Sequence, residues 1–134
     1  MDEQTIESST GSIVLYSPAP GVFASRVRGS MGMVQADAYI AFGDAVLAAH
    51  TPGIGLHDWA AMTGYASGVR MKVTSWAVRV IGRFEAIHIH TESRVVRMGV
   101  AVANMGLAGK IAVHAERTGF DAVSERLLAS RVRR

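Results

Sequence analysis

The side chains best suited to chemistry are histidines. The chain has five, and four of them (His57, His88, His90 and His114) fall in short apolar segments that read as strands. His88 and His90 sit in "EAIHIHT" (85–91). Side chains alternate along a strand, so this pair shares one face. His57 in "IGLHDW" (54–59) and His114 in "KIAVHAE" (110–116) lie near the carboxyl ends of their segments. If the strands are neighbours, the imidazoles meet. With Glu116 they would suit zinc or another borderline metal, which needs three or more ligands at about 2.0–2.2 Å. The alternative is a set of rings held by ordinary hydrogen bonds in a covered sheet. The reading adopted is the second: no metal and no cofactor is expected, and the four histidines stand as the only metal candidates.

Asp58 closes the run "IGLHD". The carboxyl end of a parallel strand is the side on which open α/β sheets bind ligands. No second carboxylate stands near it in sequence to complete an acid/base pair, so the reading adopted is a carboxylate that ties down the next loop by accepting N–H bonds. Ser67 opens a helical pattern in "YASGVR" (65–70). A helix start offers unpaired N–H groups and a positive dipole end, which favour a phosphate. A phosphoserine there adds about −1.5 to −2 charges, and Arg70 lies three residues on to pair with it. Ordinary capping by Ser67 or Thr63 is the plainer alternative.

Other chemistries lack their residues. Cysteine is absent, which removes disulfides, thiolate nucleophiles and Cys-zinc sites. There is no nucleophile-elbow motif, phosphate-binding loop, dinucleotide glycine fingerprint or zincin helix. The 134 residues are 49% hydrophobic and 19% charged, enough apolar material for one packed domain. The longest apolar segment, Met31 to His50, is interrupted by Asp37 and Asp44 and does not read as a membrane span. The first ten residues, "MDEQTIESST", are acidic and polar, unlike a signal peptide. They read as a flexible lead to a domain over 11–131, and the protein is expected to be soluble and cytoplasmic. The net charge is +3, with cations grouped at Arg70, Lys72, Arg79 and Arg83 and in the tail "RVRR" (131–134). Aromatics are 7% and do not interleave with these cations, so a solvated face is expected and nucleic acid is not.

Hydrophobic periodicity supplies the elements that must position these residues. "SIVLYS" (12–17) and "GVFASRVRG" (21–29) read as a strand pair about "PAPG". Helical spacing covers 33–50, 65–82, 93–109 and 118–131, and strands fall at 54–59, 85–91 and 110–116. The order β-β-α-β-α-β-α-β-α predicts an α/β fold. Its sheet is small, mixed and mainly parallel, with an antiparallel strand pair at the N-terminus and four flanking helices.

With that order in hand, residues 12–130 resemble the STAS group, the sulfate-transporter and anti-sigma-factor-antagonist domain. The local likeness is a strand ending in an Asp, a short turn, and a Ser-Gly pair at the next helix start. Here these are Asp58 and Ser67-Gly68, although Tyr65-Ala66 stands where that group usually has Asp-Ser. The resemblance implies a non-catalytic, cytoplasmic regulatory domain that docks a protein partner. In some members phosphorylation of the helix-start serine controls docking. It assigns docking to Asp58, Tyr65, Gly68, Arg70, Lys72 and Arg79, with Ser67 as the switch.

The helix over 93–109 carries a separate signal. Val96, Gly99, Val100 and Ala103 form one apolar stripe, and Val95, Met98, Val102 and Met105 a second. A helix apolar most of the way round is either deeply buried or shared with a partner. Met98, Val102 and Met105 are therefore expected at an interface between copies, most simply a dimer. Two rival functions stay open. One is a small-ligand or lipid pocket between the sheet and the apolar helices. The other is a metal-dependent enzyme built on the histidines.

Overall fold

The computed structural model describes residues 2–132. Six strands form one sheet in the order β1 to β6: Gln4–Glu7, Gly11–Tyr16, Val22–Met31, Gly53–Tyr65, Phe84–His90 and Ile111–His114. Four helices follow the later strands: α1 (Met33–Ala49), α2 (Val69–Val80), α3 (Arg94–Asn104) and α4 (Arg117–Val132). β1–β2–β3 are antiparallel, and β3–β4–β5–β6 are parallel. This is the expected mixed α/β architecture.

The strand order explains where the helices lie. Each crossover steps one strand in the same direction, and parallel crossovers are right-handed. α1, α2 and α3 must therefore all pack on one face. That face holds the main core, built on Phe23, Val27, Tyr39, Phe42, Trp59 and Trp76. α4 turns back after β6 and covers the other face through Phe120, Leu127 and Leu128, over Val22, Ala24, Ile54 and Leu56. Among the described residues, no helix is long and apolar enough to cross a membrane.

Several boundaries differ from those expected: α3 ends at Asn104 and not at Gly109, and three others bear on the site. Gln4–Glu7, placed in a flexible lead, pair with Ser12–Leu15 as the edge strand β1. The buried Gln35 of α1 holds that edge, donating from Nε2 to the carbonyls of Ile6 (3.2 Å) and Gly11 (3.0 Å). A polar strand on a solvated edge lacks the alternation that reveals strands elsewhere. The second difference is β4, which does not stop at Trp59 but runs to Tyr65, pairing with Arg28–Met31 across two register shifts. As a third, α2 starts four residues later than expected, after Gly68, whose φ of +86° suits glycine.

Candidate functional site

The three-helix face is not filled completely. A cavity of about 90 Å³ lies between the sheet and α2–α3. β4 contributes His57, Trp59, Met62 and Tyr65, α2 contributes Val73 and Trp76, and α3 contributes Val96 and Val100. Tyr39 of α1 closes it from the side of β3. Its lining is almost wholly apolar, the character of a small-molecule pocket.

Three polar side chains of this lining, Trp59, His57 and Tyr39, belong with Ser25 to one buried chain, and Tyr65, Arg70 and Thr74 also line the cavity. Trp59 Nε1–H donates to Ser25 Oγ (3.0 Å), Ser25 Oγ meets His57 Nδ1 (2.7 Å), and His57 Nε2 meets Tyr39 Oη (3.1 Å). His57 is 1% exposed and Ser25 is fully buried. Burial lowers the His57 pKa to about 3, so the ring is neutral at physiological pH. The same burial raises the Tyr39 hydroxyl, which stays protonated. Sequence reasoning singled out His57 but none of its partners. The available signal was Ser25, a hydroxyl on the core-facing side of β3 between Phe23 and Val27.

Above the cavity the helices present an unusual surface. Val95, Met98, Val102 and Met105 run along the outside of α3, and Met105 is 86% exposed. Met71 and Val78 are exposed on the neighbouring α2. Neither helix contains an acidic residue, while Arg70, Lys72, Arg79, Arg94 and Arg97 are all exposed. Lys72 pairs with Asp37 of α1, and the apolar side chains edged by the other cations suit an acidic or amphipathic counterpart.

No protein-family model matches the sequence, and no curated protein does. A solved structure does match: an uncharacterized protein from the DUF3478 family with a SpoIIAA-like fold, from Shewanella loihica PV-4. The two share 13% identity over 88% of each chain, with a TM-score of 0.59. The fold is SpoIIAA-like. At this identity the likeness carries the architecture alone, and it agrees with the STAS-type arrangement expected above.

On the SpoIIAA-like frame the sequence-predicted residues separate into groups. His88, His90 and His114 share one face, but His57 does not join them. In the β4–β5 register His57 pairs with Ile89, and His88 pairs with Leu56. Paired residues in a parallel ladder point the same way, so His57 faces α1 while His88 faces α4. The four candidate histidines are therefore split by the sheet, and no metal-competent group of three ligands occurs among the described residues. His88 Nδ1 lies 3.0 Å from His114 Nε2, a bond between two imidazoles. His90 Nδ1–H donates to the His114 carbonyl (2.9 Å), and its ring stacks on Phe120.

Asp58 also moves. It is not at a strand end but in the middle of β4, on the α4 face. Its carboxylate accepts two bonds from Arg117 (3.0 and 3.1 Å) and one from the Ala60 N–H (3.2 Å). It therefore lies across the sheet from α2 and cannot share a docking surface with Arg70, Lys72 and Arg79. Those three are exposed on α2, where Lys72 pairs with Asp37 of α1. Tyr65 is half-buried and packs on Gly99 of α3, where an added Cβ would sit 2.5 Å from its hydroxyl. Ser67 stands exposed in the turn before Gly68, one residue outside the helix cap. Thr63 lies in β4, so neither hydroxyl caps α2.

The basic tail needs the last correction. Arg131 is not solvated but 2% exposed. It donates to the carbonyls of Pro20 (3.3 Å) and Pro52 (2.7 Å) and to Glu85 Oε2 (3.1 Å). Arg133 and Arg134 lie outside the described residues.

Proposed function

We propose that this chain is a non-catalytic cytoplasmic regulatory module that docks an acidic protein partner on the outer surface of α2. The observation that carries this is the acid-free pair α2–α3, with exposed Arg70, Lys72 and Arg79 beside exposed apolar side chains. The SpoIIAA-like fold is consistent with such a module. Ser67, exposed where β4 turns into α2, is the candidate switch. A phosphate there would reverse the local charge beside Arg70. The α3 stripe of Met98, Val102 and Met105 serves a second copy of the chain, giving a homodimer.

A photo-crosslinking residue at the exposed Ser75 position tests the docking face in the native cell. Arg79→Glu is expected to cut trapping of a defined partner roughly tenfold, while Arg126→Glu on α4 leaves it intact. Equal trapping in the two variants would overturn the assignment. Loss with Arg79→Glu but no change with Ser67→Glu would keep the surface and remove the switch.

The apolar cavity favours a second reading, a module that also holds a small apolar ligand beneath α2–α3. Both tryptophans of the chain line it, so their indole N–H signals report directly on occupancy.

A further inference from the structure

We propose that the cavity under α2–α3 takes an apolar small molecule bearing one hydrogen-bond acceptor oxygen, held by the Tyr39 hydroxyl. This rests on the ligand-pocket reading above and adds the chemical class.

The argument is a count of hydrogens. The buried chain Trp59–Ser25–His57–Tyr39 has three links. Its members carry four polar hydrogens: the indole N–H, two hydroxyl hydrogens and the single N–H of a neutral imidazole. One hydrogen is left over in every arrangement. Trp59 can only donate, so Ser25 Oγ always accepts from it. If His57 carries its proton on Nδ1, that N–H donates to Ser25 and Tyr39 donates to Nε2. The Ser25 hydrogen is then the orphan. Ser25 is fully buried, and His57 and Trp59 are its side chain's hydrogen-bond partners among the described residues. An orphan donor there has nowhere to turn, and buried donors without acceptors are strongly disfavoured. If the proton sits on Nε2, Ser25 donates to Nδ1 and His57 donates to Tyr39 Oη. The orphan is then the Tyr39 hydrogen.

That second orphan has an outlet. Tyr39 and His57 both line the cavity. Gly55, two residues before His57 on the same strand face, lets Ile87 and the His57 ring close in beside the link. A Cβ there would stand 3.3 Å from His57 Nε2 and 3.1 Å from Ile87, itself a lining residue. Tyr39 is 5% exposed, so the acceptor for its free hydrogen is a molecule in the cavity it lines. Apart from Tyr65, Arg70 and Thr74, the remaining wall is hydrocarbon and aromatic. A ligand that fits is therefore mostly apolar, with one carbonyl, ether or comparable oxygen at the Tyr39 end. The volume of about 90 Å³ is well under the roughly 150 Å³ that admits benzene in a dry engineered cavity, so the appropriate probe is a molecule of about three heavy atoms.

Dimethyl ether and propane have nearly the same shape and differ in that oxygen. Their affinities are read by titration of the Trp59 and Trp76 indole signals in the wild type and in Tyr39→Phe. The expected result is that both bind the wild type, and that Tyr39→Phe weakens dimethyl ether about tenfold more than propane, the worth of one hydrogen bond. Nitrogen-15 spectra of the wild-type His57 ring give a second readout that needs no variant. Dimethyl ether should hold the ring in the Nε2–H form, and propane should not change it. Equal losses in Tyr39→Phe, or an Nδ1–H ring in the dimethyl ether complex, would overturn the acceptor assignment and leave the pocket standing. If neither probe binds, the pocket reading fails and this inference falls with it.

Discussion

At the scale of single residues, His57 makes the sharpest statement about pH. Its folded pKa is about 3 because burial disfavours the charged ring, whereas an exposed histidine in the unfolded chain titrates near 6.5. The unfolded state therefore takes up the proton first as pH falls. Stability is complete above about pH 6.5 and declines from there toward pH 3, with a slope approaching 1.4 kcal/mol per pH unit. The half-buried His88 acts in the same direction: burial, then the charges of His114 and Arg126, lower its pKa. Urea unfolding from pH 8 to pH 4.5 should show the midpoint dropping over this window. The His57 ring, followed by NMR, should stay neutral down to pH 5. A His57 titration near pH 6 would show that the ring is not sealed in the core. The sequence displayed these histidines and correctly paired His88 with His90 by strand alternation. It could not show that His57 faces the other way, because that depends on the β4–β5 register, which is set by packing and not by local pattern.

At the scale of elements, the hydrophobic periods located every helix and every strand but β1. They failed where polar or small residues pair at an edge or beyond a bulge. "AAMTG" (60–64) read as a short turn between strand and helix, yet with Tyr65 it lengthens β4 against the bulged end of β3. The consequence for the site is large. Asp58 became an interior strand residue facing α4, and the helix start moved from Tyr65 to Val69. Arg131 shows the converse failure: read as part of a solvated basic tail, it locks the end of α4. Its guanidinium ties together the carbonyl of Pro20 before β3, the carbonyl of Pro52 before β4, and Glu85 of β5. Gly21 must lack a side chain there, since a Cβ would stand 2.5 Å from Arg131 Nη1. Arg131→Ala strips both carbonyls of their donor and leaves a void, and should cost about 2–4 kcal/mol by urea denaturation. Arg131→Met keeps most of the volume and should recover less than half of that loss. Equal stability of all three proteins would place the guanidinium outside the fold's support.

At the scale of the whole molecule, the architecture was legible because it follows from element order. Sequential parallel strands with right-handed crossovers leave few alternatives, and they force α1–α3 onto one face. The same rule has a cost. Three helices share one side of a narrow sheet, so α3 can bury only one of its two apolar stripes. Val96, Gly99 and Val100 face the core, and Val95, Met98, Val102 and Met105 face outward. On the homodimer proposed above, this outward stripe is where the two copies would meet. The adjoining cations fix what sort of association it can be. Arg94 and Arg97 lie at the first turns of α3, while its C-terminal half, Val100 to Asn104, carries no charge. Two copies crossing antiparallel along α3 would set the arginines of each against the uncharged end of the other. A parallel crossing would stack like charges and is disfavoured. Light scattering on the eluted protein should therefore give a dimer whose fraction rises with added salt, as the residual repulsion within a net +3 chain is screened. Met98→Glu with Val102→Glu should yield a folded monomer with an unchanged thermal midpoint at low concentration. A crosslink joining Arg94 of one copy to Met105 of the other would confirm the antiparallel crossing, and a wild-type monomer at all concentrations would remove the dimer altogether.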